Sequence, residues 1–156
     1  MRVLLAVALS LGACSSGPDE FDGLGKWRFG KTTLGSVHEG RCEPQKLNDG
    51  RAATWCYAIT PVKIANRATS VDLYFLGTDP DAPLIEIQLH TRGCQEEQLI
   101  GWLRTNFGQQ LEEHDKKYYW QNKYLFAAAF APVSPGECEV HFIPVSETSE
   151  IARLKK

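Results

Sequence analysis

Apolar and polar residues alternate with a two-residue period in the middle of the chain. Residues 70–76 place Val71, Leu73 and Phe75 on one face. Residues 84–92 place Ile85, Ile87 and Leu89 inward and Glu86, Gln88 and His90 outward. That period marks antiparallel strands with one covered and one wet face. Residues 54–62 alternate too, with Trp55, Tyr57 and Ile59 sharing a face. Three further strands are predicted over 117–121, 123–131 and 137–144. Helical spacing is clearest over 95–107, where Leu99, Ile100, Leu103 and Phe107 recur and Gly108 stops the run. A shorter helix is predicted after Thr32 or Thr33, with Leu34 and Val37 on one face and Gly40 at its end. A third short helix covers 147–154. The polar stretches 43–51 and 109–115 read as loops.

In order, the elements run helix, strand, strand, strand over residues 30–92, and again over 94–144. The expected fold is α+β. A single antiparallel sheet of about six strands carries two helices on one face, built as a tandem repeat of helix-β-β-β units in one domain over residues 29–156. Such units on disulfide-bearing exported chains resemble two groups. One is the SmpA/OmlA (BamE-like) family of outer-membrane assembly lipoproteins, and the other is the beta-lactamase inhibitory protein family. The segment Gly30-Lys31-Thr32 through Val37 is similar to the Gly-x-Thr opening of their helix, although the Leu-Gly-x-Pro that commonly ends it in the first family is missing. The resemblance implies a binding or scaffolding role rather than catalysis, and it carries no site residues over.

The amino-terminal pattern is of another kind. Arg2 precedes a run of nine mostly apolar residues, Val3 to Leu11, and Leu11-Gly12-Ala13-Cys14 follows. Nine residues fall far short of the roughly twenty needed to span a bilayer. A short apolar run with small residues before a cleavage point is the layout of a signal peptide. With cysteine at that point it resembles the lipobox of bacterial lipoproteins. The resemblance implies that residues 1–13 are removed, that Cys14 is acylated, and that the breaker-rich 14–28 is a tether. In Gram-negative lipoproteins an Asp after the lipid cysteine favours inner-membrane retention, so by this resemblance Ser15 implies an outer-membrane location, facing the periplasm or the cell surface.

Charge and cysteines narrow the picture. Without Arg2, sixteen basic residues stand against nineteen acidic ones, a net charge near −3. No basic stripe is present, so nucleic acid is not an expected partner. Setting Cys14 aside leaves Cys42, Cys56, Cys94 and Cys138, an even set that reads as two disulfides in an oxidising compartment. Three pairings are open on sequence alone. The sequential one, Cys42–Cys56 and Cys94–Cys138, is the one compatible with the repeat.

Candidate chemistry is sparse. No Gly-x-Ser-x-Gly and no His-Glu-x-x-His occurs. Gly25 to Thr32 formally fits a phosphate-binding loop, but no apolar strand precedes it, and it reads as a chance match. The pairs Glu96-Glu97 and Glu112-Glu113 need no role beyond a helix start and a polar loop. His90 and His141, with Glu86 and Glu139 on the same strand faces, offer the imidazole and carboxylate that bind zinc or copper. A wet strand face places the same residues there without a metal, and no metal or cofactor is assigned. The strand aromatics are too many for one face. Exposed Tyr and Trp favour recognition surfaces, so the helix-free face, with Tyr74, His90, Tyr119 and His141, is the expected binding site. The expected function is a non-enzymatic envelope lipoprotein that binds another protein as an assembly or inhibitor module. The alternative is a small-ligand or metal-binding envelope lipoprotein.

Overall fold

The computed structural model describes residues 21–131 and 136–156. The lipobox and Cys14 lie outside the described residues. The chain first forms a small hairpin, β1 (Gly23–Leu24) and β2 (Trp27–Arg28). Leu24 and Trp27 are buried in the main core, and the Phe21 ring packs against Phe107 at 4.4 Å. Residues 21–27 of the segment read as tether are therefore packed on the domain.

The remaining strands are β3 (Arg41–Lys46), β4 (Ala52–Tyr57), β5 (Val62–Ile64), β6 (Arg67–Leu76), β7 (Leu84–Arg92), β8 (Glu112–His114), β9 (Lys117–Gln121), β10 (Leu125–Phe130) and β11 (Glu137–Pro144). They form one nine-stranded antiparallel sheet in the order β3-β4-β6-β7-β11-β10-β9-β8, with β5 paired to β6 beside the end of β4. The helices are α1 (Glu96–Phe107) and α2 (Thr148–Leu154).

This architecture corrects the expected α+β sheet of about six strands with a tandem repeat. The additional strands β3 and β8 lie in stretches read as polar loops. Every residue of both is exposed, so neither carries a buried face that would print an alternation. The run 54–62 is broken at Ala58, whose φ of 54° turns the chain out of β4 before β5 begins. The first predicted helix is a single 3-10 turn, Leu34–Ser36. Its backbone is held from outside. Leu34 N–H donates to Ala82 O at 2.9 Å, Gly35 N–H donates to Pro80 O at 2.7 Å, and Leu84 N–H reaches Thr32 O at 3.1 Å. The turn goes no further because Val37 leaves it in an extended conformation, at φ −93° and ψ 113°. The first unit thus has no α-helix, and the two halves are not a repeat.

The helices also lie on opposite faces. Leu99, Ile100 and Leu103 of α1 enter the larger core with Leu73, Phe75, Ile87, Leu89, Val140 and Phe142. Leu154 of α2 enters a second cluster with Tyr119, Phe126, Ala128 and Ile143. Both faces of β10 are consequently covered, and Leu125 through Ala129 are buried without a break. One disulfide pins the edge pair of the sheet order and the other its centre. Cys42 and Cys56 are cross-strand partners in β3 and β4, and Cys94, just after β7, joins Cys138 of β11. The sequential pairing is the one formed.

Candidate recognition face

The face opposite α1 divides into a covered part and an open part. Alternation in β6, β7 and β11 sends Asp72, Tyr74, Glu86, Gln88, His90, Glu139 and His141 there, and cross-strand pairing aligns them. Tyr74 opposes Glu86, Asp72 opposes Gln88, Gln88 opposes His141, and His90 opposes Glu139. The sequence pattern had Tyr74, Glu86, Gln88, His90, Glu139 and His141 outward. The structure keeps them on one face, but α2 closes over part of it, so Glu86 is 4% and His141 2% exposed.

Burying these charges is tolerable because they are paired. His141 Nδ1 donates to Glu86 Oε1 at 2.6 Å. Arg153 of α2 donates through Nη2 to both Glu86 oxygens, at 3.2 and 3.0 Å, and through Nε to Glu150 Oε2 at 2.7 Å. The other imidazole nitrogen, His141 Nε2, has no hydrogen-bond partner and faces Glu139 Oε2 at 3.6 Å. His90 lies 3.7 Å from both Asp72 and Glu139. Arg153, Glu150 and Asp72 were missed on sequence. The Glu150–Arg153 spacing on a short helix was the one signal for that pair, and it looks like any solvated ion pair. Among the described residues, no group of three or more His, Cys, Asp and Glu side chains is gathered so as to hold a metal ion.

Burial works to lower the His141 pKa, but the carboxylates of Glu139 and Glu86 prevail and raise it above the ordinary imidazole value. The Asp72 carboxylate raises His90 in the same direction, against burial. Glu139 is held below the usual carboxylate range by His141. Burial, and then the charges of Glu86 and Asp72, push the Tyr74 hydroxyl up to about 12. A histidine whose folded pKa is raised contributes stability that is full below its unfolded value of 6.5 and lost as pH rises through the folded value. The unfolding midpoint is therefore expected to be higher at about pH 6 than at about pH 8, and His141→Asn should flatten the difference. A thermal melt series on both proteins checks this.

The open part of the face is aromatic. Trp55 and Tyr57 of β4 and Tyr74 of β6 are each partly exposed. The Trp55 ring lies 4.5 Å from that of Tyr57 and stacks at 6.5 Å on that of Tyr74. The buried indole N–H of Trp55 has no acceptor. Tyr57 donates its hydroxyl to Glu43 at 2.6 Å, tying the row to the edge strand β3. Beside the row, a cleft of about 290 Å³ runs between the β3–β4 hairpin and α2. Lys46, Tyr74, Glu86, Gln88, Glu150 and Arg153 are among its lining residues.

Of the predicted contacts, Tyr74, His90 and His141 therefore belong to one neighbourhood, with His141 sealed beneath its surface. Tyr119 does not join them. It is 4% exposed under α2, where its hydroxyl donates to Leu154 O at 3.1 Å, so its ring is core rather than open face. The remaining histidines stand apart, His38 after the 3-10 turn and His114 in β8 paired with Asp115 at 3.0 Å. The formal phosphate-loop match at Gly25 to Thr32 runs through β2 into a turn, with no α-helix after it to present amide groups to an anion. Comparison with protein-family models, curated proteins and solved structures finds no match to this chain.

Proposed function

We propose that this chain is a non-enzymatic envelope lipoprotein, acylated at Cys14, that binds another protein through the open aromatic face. The observation that carries the binding half is the partly exposed row Trp55, Tyr57 and Tyr74, set beside a polar cleft. Tyr and Trp present large, rigid contact area at low conformational cost. A buried indole N–H without an acceptor is a cost that a native fold seldom keeps without a reason. The anchoring half rests on the lipobox and on cysteine usage. Four of the five cysteines are paired within the described domain, which suits an oxidising compartment, and Cys14 is the one left over. An assembly or inhibitor module needs such a fixed surface and no reactive group.

Two expected results test the reading. Cys14→Ala should leave the membrane fraction for the soluble one, and retention in the membrane would contradict lipid anchoring. Affinity purification of the acylated chain in detergent should bring down one protein in stoichiometric amount. Recovery of the chain alone, or with only a bound small molecule, would contradict the binding role.

A further inference from the structure

We infer that the corner of the sheet formed by Leu111 and the β9–β10 turn rests on the lipid surface, so that the anchor holds the domain in one orientation. The inference rests on acylation at Cys14. Among the described residues, the large hydrophobic side chains that stay exposed are Leu111, at 71%, and Tyr124, at 43%. They are far apart in sequence and lie at the same corner. Leu111 N–H donates to Tyr119 O at 2.8 Å, which places Leu111 on the outer edge of the sheet beside the last residues of β9. Tyr124 sits in the turn that follows β9, its amide held by Asn122 Oδ1 at 2.8 Å.

The chain enters the domain at this corner. Asn122 Nδ2 donates to Phe21 O at 3.1 Å, and the Phe21 ring is seated against Phe107 and Phe142. Cys14 and Phe21 are seven residue steps apart. Fully extended, these steps reach at most about 25 Å, so a lipid on Cys14 keeps this corner near the bilayer whatever path the tether takes.

The side chains fit an interface. Tyr is enriched at headgroup depth, where one end of the ring is wet and the other is not. Lys123 places its ammonium 4.6 Å from the Tyr124 ring centroid. The acyl chains supply the stable attachment. Leu111, Lys123 and Tyr124 add too little apolar area to bind alone and enough to choose an orientation. Tyr57, at the far end of β4, is then directed away from lipid, which leaves the aromatic row accessible.

The test is site-specific photo-cross-linking of the full chain in its native membrane, with benzophenone-alanine at position 111, 124 or 57. The expected result is phospholipid adducts from 111 and 124 at several-fold the yield from 57. Leu111→Ser should cut the adduct yield at 124 several-fold while the protein stays in the membrane fraction. Adducts to a protein at 111 and 124, or equal lipid yields at all three positions in a membrane-bound chain, overturn the docking and leave the anchor standing. A wild-type chain found in the soluble fraction overturns both.

Discussion

Glu86→Ala is expected to destabilise the domain by about 3 kcal/mol, the scale for removing one partner of a buried ion pair. The cost is not the loss of the contacts themselves. Glu86 is the one carboxylate that both His141 Nδ1 and Arg153 Nη2 address, at 2.6 Å and 3.0–3.2 Å. Without it, an imidazole and a guanidinium face each other under α2, and only Glu150 and Glu139 remain to oppose them. Arg153 keeps 30% of its side chain in water, which holds the expected cost at the lower end of the range for such pairs. Glu86→Gln keeps the shape and one acceptor, so it should cost less. Urea unfolding of the three proteins measures the series. A change below about 1 kcal/mol for Glu86→Ala would mean that water replaces the carboxylate and that α2 is not clamped by charge.

Opening Cys94–Cys138 is expected to cost more than opening Cys42–Cys56. The first bond joins residues 44 apart in sequence and the second residues 14 apart. In the chain-entropy description, a crosslink stabilises by restricting the unfolded chain, by about 4 kcal/mol for the longer loop and about 3 kcal/mol for the shorter. The longer bond also ties the start of α1 to β11 at the centre of the sheet order, whereas the shorter one sits at the exposed edge. Alanine pairs at each bridge, compared by denaturant unfolding under oxidising conditions, give the two values. An equal or reversed order would show that folded-state packing at the β3–β4 edge outweighs loop entropy.

How much of this was legible in the sequence follows from burial. The strands β6 and β7 announced themselves because Val71, Leu73, Phe75, Ile87 and Leu89 enter one core while their neighbours stay outside it. The helix α1 did so because its apolar residues face one sheet. The strands β3 and β8 could not, since a strand exposed on both faces has no buried side for an alternation of side-chain type to mark. The segment at Leu34 misled because it has a cap and two apolar residues at helical spacing, while its hydrogen-bond partners come from residues 80–84, far along the chain. Tyr119 misled for a related reason. Alternation allowed either Tyr119 or the Tyr118/Trp120 pair on the face opposite α1; Tyr119 takes it, but only tertiary structure brings α2 over that face. The same closure turned His141 and Glu86 from expected surface groups into a buried ion network. The cysteine count announced two disulfides but left three pairings open, and the repeat that favoured the sequential one is not formed; the pairing follows from β3 lying beside β4 and from Cys94 lying beside β11.

The central claim is that the row Trp55, Tyr57 and Tyr74 is a binding surface rather than a surplus of strand aromatics. One experiment meets it most directly. The double variant Trp55→Ala/Tyr74→Ala is compared with the wild type for retention of the co-purifying protein and for its unfolding midpoint, on the same preparation. The account predicts that binding weakens by about 2 kcal/mol or more, which is roughly thirtyfold in Kd. Stability should change much less, because both rings are partly exposed and a cleft already lies beside Tyr74. Intact retention with a sharply lowered midpoint would contradict the claim and return both rings to the core.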